Sequence, residues 1–98
     1  MVIGSALDPA TGKMVEGGIE AQTERALSNL EAVLVAGGAT LGSVVKTTVY
    51  LVDMADFAAM NAVWEQWVVP GQTPARATVE AKLAAPEYRI EIQVVAAK

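Results

Sequence analysis

The stretch "VVKTTVYLVDMADFAAMNAVWEQW", Val44 to Trp67, changes its hydrophobic period part-way along, and that change decides the fold. Val44 to Val52 is rich in β-branched side chains and reads as a strand. Val45, Thr47, Val49 and Leu51 fall on one face, and Lys46, Thr48, Tyr50 and Val52 on the other. Neither face is strongly polar, so this strand is expected at the centre of a sheet, covered on both sides. Asp53 and Asp56 then offer N-caps for a helix from Phe57 to Val68. Its apolar stripe is Phe57, Met60, Asn61, Trp64, Trp67 and Val68, and Pro70-Gly71 ends it.

Upstream, Ile19 to Val35 carries Ile19, Thr23, Ala26, Leu27, Leu30, Val33 and Leu34 on one helical face, and Gly37-Gly38 stops it. Before that, "LDPATGK" (Leu7 to Lys13) is a turn between short apolar pieces, "MVI" and "MV", the tail of a β-hairpin. Downstream, two alternating runs follow. In the first, Ala77, Val79, Ala81 and Leu83 oppose Arg76, Thr78, Glu80 and Lys82. In the second, Tyr88, Ile90, Ile92 and Val94 oppose Arg89, Glu91, Gln93 and Val95. The connector "AAPE" is too short for a crossover helix, so these two strands are expected as an antiparallel hairpin. The order β, α, β, α, β, β predicts an α+β two-layer sandwich with both helices on one sheet face. The opposite face would then carry Arg76, Thr78, Glu80, Lys82, Glu91 and Gln93.

The 98 residues fit a single domain, 1–98. A chain this short buries roughly 60–65% of the surface its unfolded form exposes. Since 53% of its residues are hydrophobic, the excess is expected in the interface of a symmetric homo-oligomer. A net charge of −4 and the lack of a basic stripe argue against a nucleic-acid partner. The chain has no cysteine and no histidine, which excludes disulfides, thiol catalysis and Ser-His constellations and makes a zinc or iron site improbable. No phosphate-cradling glycine loop occurs, no cofactor is implied, and any catalysis rests on carboxylate, guanidinium, hydroxyl and backbone groups. The longest uncharged apolar run, "AVLVAGGATLGSVV", is broken by Gly37-Gly38 and too short to span a bilayer. With no signal peptide visible, a soluble cytoplasmic protein without membrane contact is expected.

Arg76 is one of three arginines and opens a strand of small and β-branched residues. It reads either as an exposed strand-end charge or as a planar fork that grips a carboxylate. Glu91 reads as a cross-strand partner of Arg76, Arg89 or Lys82, or as a general base or water positioner. Asn61 lies on an apolar stripe, so its amide either bonds nearby backbone or lines a pocket. Trp64 and Trp67 read first as core or interface aromatics, and Thr47 and Thr48 as strand formers.

The segments "DPATGKMVEGGIEAQTERALSNLEAVL", "VVKTTVYLVDMADFAAMNAVWEQW", "PARATVEAKL" and "RIEIQVVA" together resemble the RidA/YjgF family, from about Leu7 to the C-terminus. That resemblance implies a chorismate-mutase-like fold, a homotrimer and ligand clefts between subunits. It implies hydrolysis of reactive enamines and imines, such as 2-aminoacrylate and 2-iminopropionate, to 2-keto acids and ammonia. On it, Arg76 in "PAR" binds the substrate carboxylate, Glu91 in "IEI" handles the attacking water, and Asn61 and Thr78 complete the binding set, Thr78 through its backbone carbonyl. Family members begin with a "PYSQA" segment and a strand ending in "SGQ", which supply a tyrosine and a serine. Here "MVIGSALDP" holds a remnant at best, with Gly4-Ser5 a poor stand-in, so the chain is expected to be a truncated or a shortened member. A binding module that keeps the carboxylate pocket without turnover is the alternative. The acidic balance disfavours a ribonuclease.

Overall fold

The computed structural model describes residues 2–97; Met1 of the "MVI" segment and Lys98, the last residue of the expected domain, lie outside it. Four strands and two α-helices are present: β1 (Val2–Ser5), α1 (Ile19–Ala36), β2 (Val44–Leu51), α2 (Phe57–Trp67), β3 (Ala75–Glu80) and β4 (Ile90–Ala96). They form a mixed sheet in the order β1-β4-β2-β3, with both helices against one face. The α+β two-layer sandwich expected from the sequence is the fold observed.

The expected hairpin of the last two strands is not formed. β2 lies between them, parallel to β3 and antiparallel to β4. The reason is where β3 stops. Beyond Glu80 the chain leaves the ladder and passes over the C-terminal end of β2. The Ala81 amide donates to the Leu51 carbonyl at 2.8 Å and the Val52 amide to the Arg89 carbonyl at 3.2 Å. The chain then returns as β4 on the other side of β2, with Leu51 opposite Ile90.

That crossover is tied to α1 by one buried amide. The Gln22 Nε2 donates to the Glu87 carbonyl at 2.9 Å, and its Oε1 accepts from the Arg89 amide at 2.9 Å. Gln22 thus occupies the buried stripe of α1, whereas Val33, expected there, is 52% exposed. Arg89 is also held from the turn that precedes α2. Its guanidinium forks onto both carboxylate oxygens of Asp56, at 2.7 and 3.3 Å. Asp56 therefore makes no side-chain cap to α2, while Asp53 caps the preceding 3₁₀ turn through the Ala55 amide. Gln22→Ala strands a backbone carbonyl and an amide at the crossover and is expected to cost about 1–3 kcal/mol of unfolding free energy. Urea denaturation followed by circular dichroism reads this directly.

The core lies between the helices and one sheet face. It is built from Ala26, Leu27, Leu30 and Leu34 of α1, Met60 and Trp64 of α2, and inward residues of β2 and β4. Each fully buried aliphatic side chain contributes about 1.5–3 kcal/mol. α1 approaches β1 so closely that only glycine fits at position 4. A Cβ there would stand 2.5 Å from Leu30 Cγ and 3.0 Å from the Ala26 carbonyl oxygen. The turn after β1 forms as expected, with Leu7 bridged to Met14 and Gly12 at φ +71°.

β2 is central, as its composition indicates, but within the chain the helices cover only its Thr47, Val49 and Leu51 face. The other face is open. Across it run Ser5, Glu91, Tyr50 and Val79 in one row and Ile3, Gln93, Thr48 and Ala77 in the next. Ile3 is 56% and Val79 40% exposed there.

Candidate functional site

The register between β2 and β3 puts Arg76 opposite Thr47 and Thr78 opposite Val49. Thr47 and Val49 are buried against the helices, so Arg76 and Thr78 lie on the helix face. Glu80 joins them, its Oε1 accepting from the Met54 amide at 3.0 Å. The expectation that these residues share the open face with Glu91 is thus corrected. Alternation states which residues share a face but not which face meets the helices. The open face of β3 carries the small residues Ala75 and Ala77, together with Val79, and Glu80 at the strand end is exposed as well.

A cation on a helix-covered face needs shelter, and α2 provides it. The Arg76 guanidinium carbon sits 5.3 Å from the Trp64 ring centroid and 5.5 Å from that of Phe57, within the range where an aromatic face attracts a cation. Arg76 Nη1 donates to Asn61 Oδ1 at 2.6 Å. Asn61 Nδ2 in turn donates to Glu65 Oε1 at 3.0 Å, one helical turn on. Phe57, Asn61, Trp64 and Glu65 follow the helical spacing that presents one face to β3. Burial lowers the Arg76 pKa from its usual value, and the nearby Glu65 carboxylate partly offsets that. Among the described residues Arg76 forms no ion pair. Arg76 lines a cleft of about 460 Å³ with Asn61, Trp64 and Glu65 of α2 and with Thr73 and Pro74, where the chain enters β3.

The structure therefore brings together three of the four residues singled out from the sequence. Asn61 and Arg76 are in direct contact, and Thr78 follows two positions along the same face. The Thr78 hydroxyl is buried without a hydrogen-bond partner among the described residues, as are the Thr47 hydroxyl and the Trp67 indole N–H. Glu91 stands apart. It lies opposite Tyr50 and Ser5 on the open face, beside Lys82 and Gln93, and the Tyr50 hydroxyl donates to Gln93 Oε1 at 3.0 Å. Ser5 of β1 thus sits in the same cross-strand row as Glu91. The sheet separates Glu91 from Arg76 within one chain.

Glu65, Thr73 and Pro74 by themselves carry no signal of the site in the sequence, Phe57 reads there only as part of the apolar stripe of α2, and Trp64 only as a core or interface aromatic. Trp64 is in the core, 5.5 Å from Trp67 between ring centroids, and is also a wall of the Arg76 cleft. The available signal was the i, i+4 pair Asn61–Glu65, whose partner across the fold only tertiary structure identifies. Among the described residues no cluster of His, Cys, Asp or Glu is arranged to hold a metal ion, and no helix is long and apolar enough to cross a membrane.

This fold defines a class of small α+β proteins with many solved members. A Thermotoga maritima protein superposes with a TM-score of 0.91 at 39% identity, over 99% of this chain and 76% of that one. Escherichia coli TdcF, solved with bound serine, superposes with a TM-score of 0.88 at 26% identity, over 99% and 77% of the respective chains. Residues 2–98 match the Endoribonuclease L-PSP family, and the chain belongs to this family, known also as RidA/YjgF. The RutC family protein YoaB of Escherichia coli K12 is 46% identical over 76 residues, covering 78% of this chain and 67% of the relative.

Proposed function

We propose that the protein is a deaminase of small carboxylate-bearing imines and enamines, acting in clefts between copies of a homotrimer. The observation that carries this reading is the Arg76 guanidinium, held in place by Asn61 and two aromatic rings yet lacking a carboxylate partner among the described residues. A half-buried cation prepared in this way suits a planar anion gripped through two parallel hydrogen bonds. The serine bound to TdcF, a relative of the same fold, carries such a carboxylate.

In the proposed reaction Arg76 fixes the carboxylate of 2-iminopropionate. Glu91 accepts a proton from water as the oxygen adds to the C=N carbon, and the nitrogen takes up a proton. Collapse of the carbinolamine breaks the C–N bond, forms the keto C=O and releases ammonia. One water is consumed and no redox partner is needed. Since Glu91 and Arg76 occupy opposite sheet faces, the Glu91 of a given cleft comes from a neighbouring copy. The open sheet face, with Ile3, Tyr50 and Val79 exposed in part or in full, supplies the apolar surface for that assembly.

The separation of Glu91 from Arg76 in one chain equally favours a second reading, a carboxylate-binding module without turnover. Pyruvate release from freshly generated 2-iminopropionate distinguishes them. Acceleration over buffer is expected for the deaminase. Binding of 2-ketobutyrate without any acceleration would leave the binding module.

A further inference from the structure

We infer that Glu65 is a specificity residue of the Arg76 cleft, selecting ligands that carry a nitrogen-borne positive charge beside their carboxylate over plain carboxylates. This rests on the reading of Arg76 as the carboxylate clamp. An ionised carboxylate only accepts and a guanidinium only donates, whereas an asparagine amide does one at each end. Arg76 Nη1 donates to Asn61 Oδ1 at 2.6 Å, and Asn61 Nδ2 donates to Glu65 Oε1 at 3.0 Å. Both ends of the chain therefore demand the same orientation of the Asn61 amide. The side chain is locked with its oxygen toward the cation and its nitrogen toward the anion.

The cleft that results is polarised. Arg76 and Glu65 are its only charged linings among the described residues, one at each end of the Asn61 amide. Their formal charges cancel, so a simple monoanion gains from Arg76 and is opposed by Glu65. A ligand whose carboxylate meets Arg76 while an ammonium or iminium N–H faces Glu65 matches both. The same polarity acts along the proposed reaction. While the ligand nitrogen is protonated, Glu65 attracts it. Once hydrolysis has replaced that nitrogen by a carbonyl oxygen, Glu65 meets lone pairs instead, and the keto acid is held less tightly than the imine. Glu65 is solvent-exposed, so the preference is modest and weakens as salt is added.

The test compares two ligands of one carbon skeleton, L-2-aminobutyrate and 2-ketobutyrate, by calorimetric titration at low ionic strength. Wild type, Glu65→Gln and Arg76→Ala are titrated after circular dichroism confirms that each folds. Glutamine keeps an acceptor for Asn61 Nδ2 and removes only the charge. The wild type is expected to favour the amino acid. Glu65→Gln is expected to tighten the keto acid and weaken the amino acid, shrinking their affinity ratio by about two- to fivefold. No preference in the wild type, or a ratio unchanged in Glu65→Gln, overturns the inference while leaving the clamp intact. Binding undiminished in Arg76→Ala, or absent from the wild type, overturns both.

Discussion

Arg76→Ala is expected to weaken 2-ketobutyrate binding on the order of 100-fold, with the fold unchanged. Two hydrogen bonds from a guanidinium to a carboxylate contribute about 1.5–3 kcal/mol each in favourable geometry, and partial exposure discounts the sum. Arg76→Lys is expected to recover little. An ammonium cannot present two parallel N–H groups, nor spread its charge over a planar group beside Trp64 and Phe57, whose ring centroids lie 5.3 and 5.5 Å from the guanidinium carbon. The folded state itself should tolerate the change, because truncation removes a desolvated cation whose one hydrogen-bond partner among the described residues, Asn61, keeps its bond to Glu65. Titration of the three proteins with 2-ketobutyrate checks this. Full affinity in the lysine variant would mean that charge alone is read, not the planar fork.

The contrast between Arg76 and Arg89 shows why that prediction singles out one arginine. Both lie at strand ends and both are partly buried. Arg89 already has its anion, Asp56, in a forked contact, and its backbone amide is held by Gln22. It is a structural clasp between α1, the turn before α2 and the crossover. Arg76 has a neutral amide and two ring faces instead. A cation held in position and left without an anion is the feature that distinguishes a binding site from a fastening.

How far the sequence discloses this depends on the range of the interaction. β2, α1 and α2 are legible because their side-chain periods are local, and the observed ends lie within a residue or so of those read from the caps and glycines. The pairing of β3 and β4 is not legible. The short "AAPE" connector suggests adjacent strands, but β3 ends at Glu80, and the remaining chain is long enough to reach over β2. Which neighbour a strand takes is settled by the burial of Val49, Leu51, Ile90 and Ile92 together, a non-local sum. The same limit hid the side on which Arg76 stands. Its alternation with Ala75 and Ala77 looks like a polar outer face, and only the aromatic pair on α2 makes the inner face habitable for a cation. Asn61 was identifiable as an anomaly on an apolar stripe; its partner was not.

The opposed placement of Arg76 and Glu91 leads to a prediction that neither residue makes alone. If each cleft takes Arg76 from one copy and Glu91 from the next, the two single variants are defective for different halves of the same site. Glu91→Gln is expected to lower turnover of 2-iminopropionate by about 10²- to 10⁴-fold, the usual worth of a positioned acid–base group, while 2-ketobutyrate still binds. Arg76→Ala loses both. When the two variants are unfolded together in equal amounts and refolded, subunits combine at random. A cleft is intact when its Arg76 comes from the Glu91→Gln chain and its Glu91 from the Arg76→Ala chain. In any closed ring this happens for about one cleft in four, so roughly a quarter of wild-type activity should return from two nearly inactive parents. Refolding each variant alone provides the baseline. If the mixture stays at that baseline while forming the same assembly, Glu91 does not serve the Arg76 cleft. The water would then need another base, and the Arg76 site would stand as a carboxylate receptor.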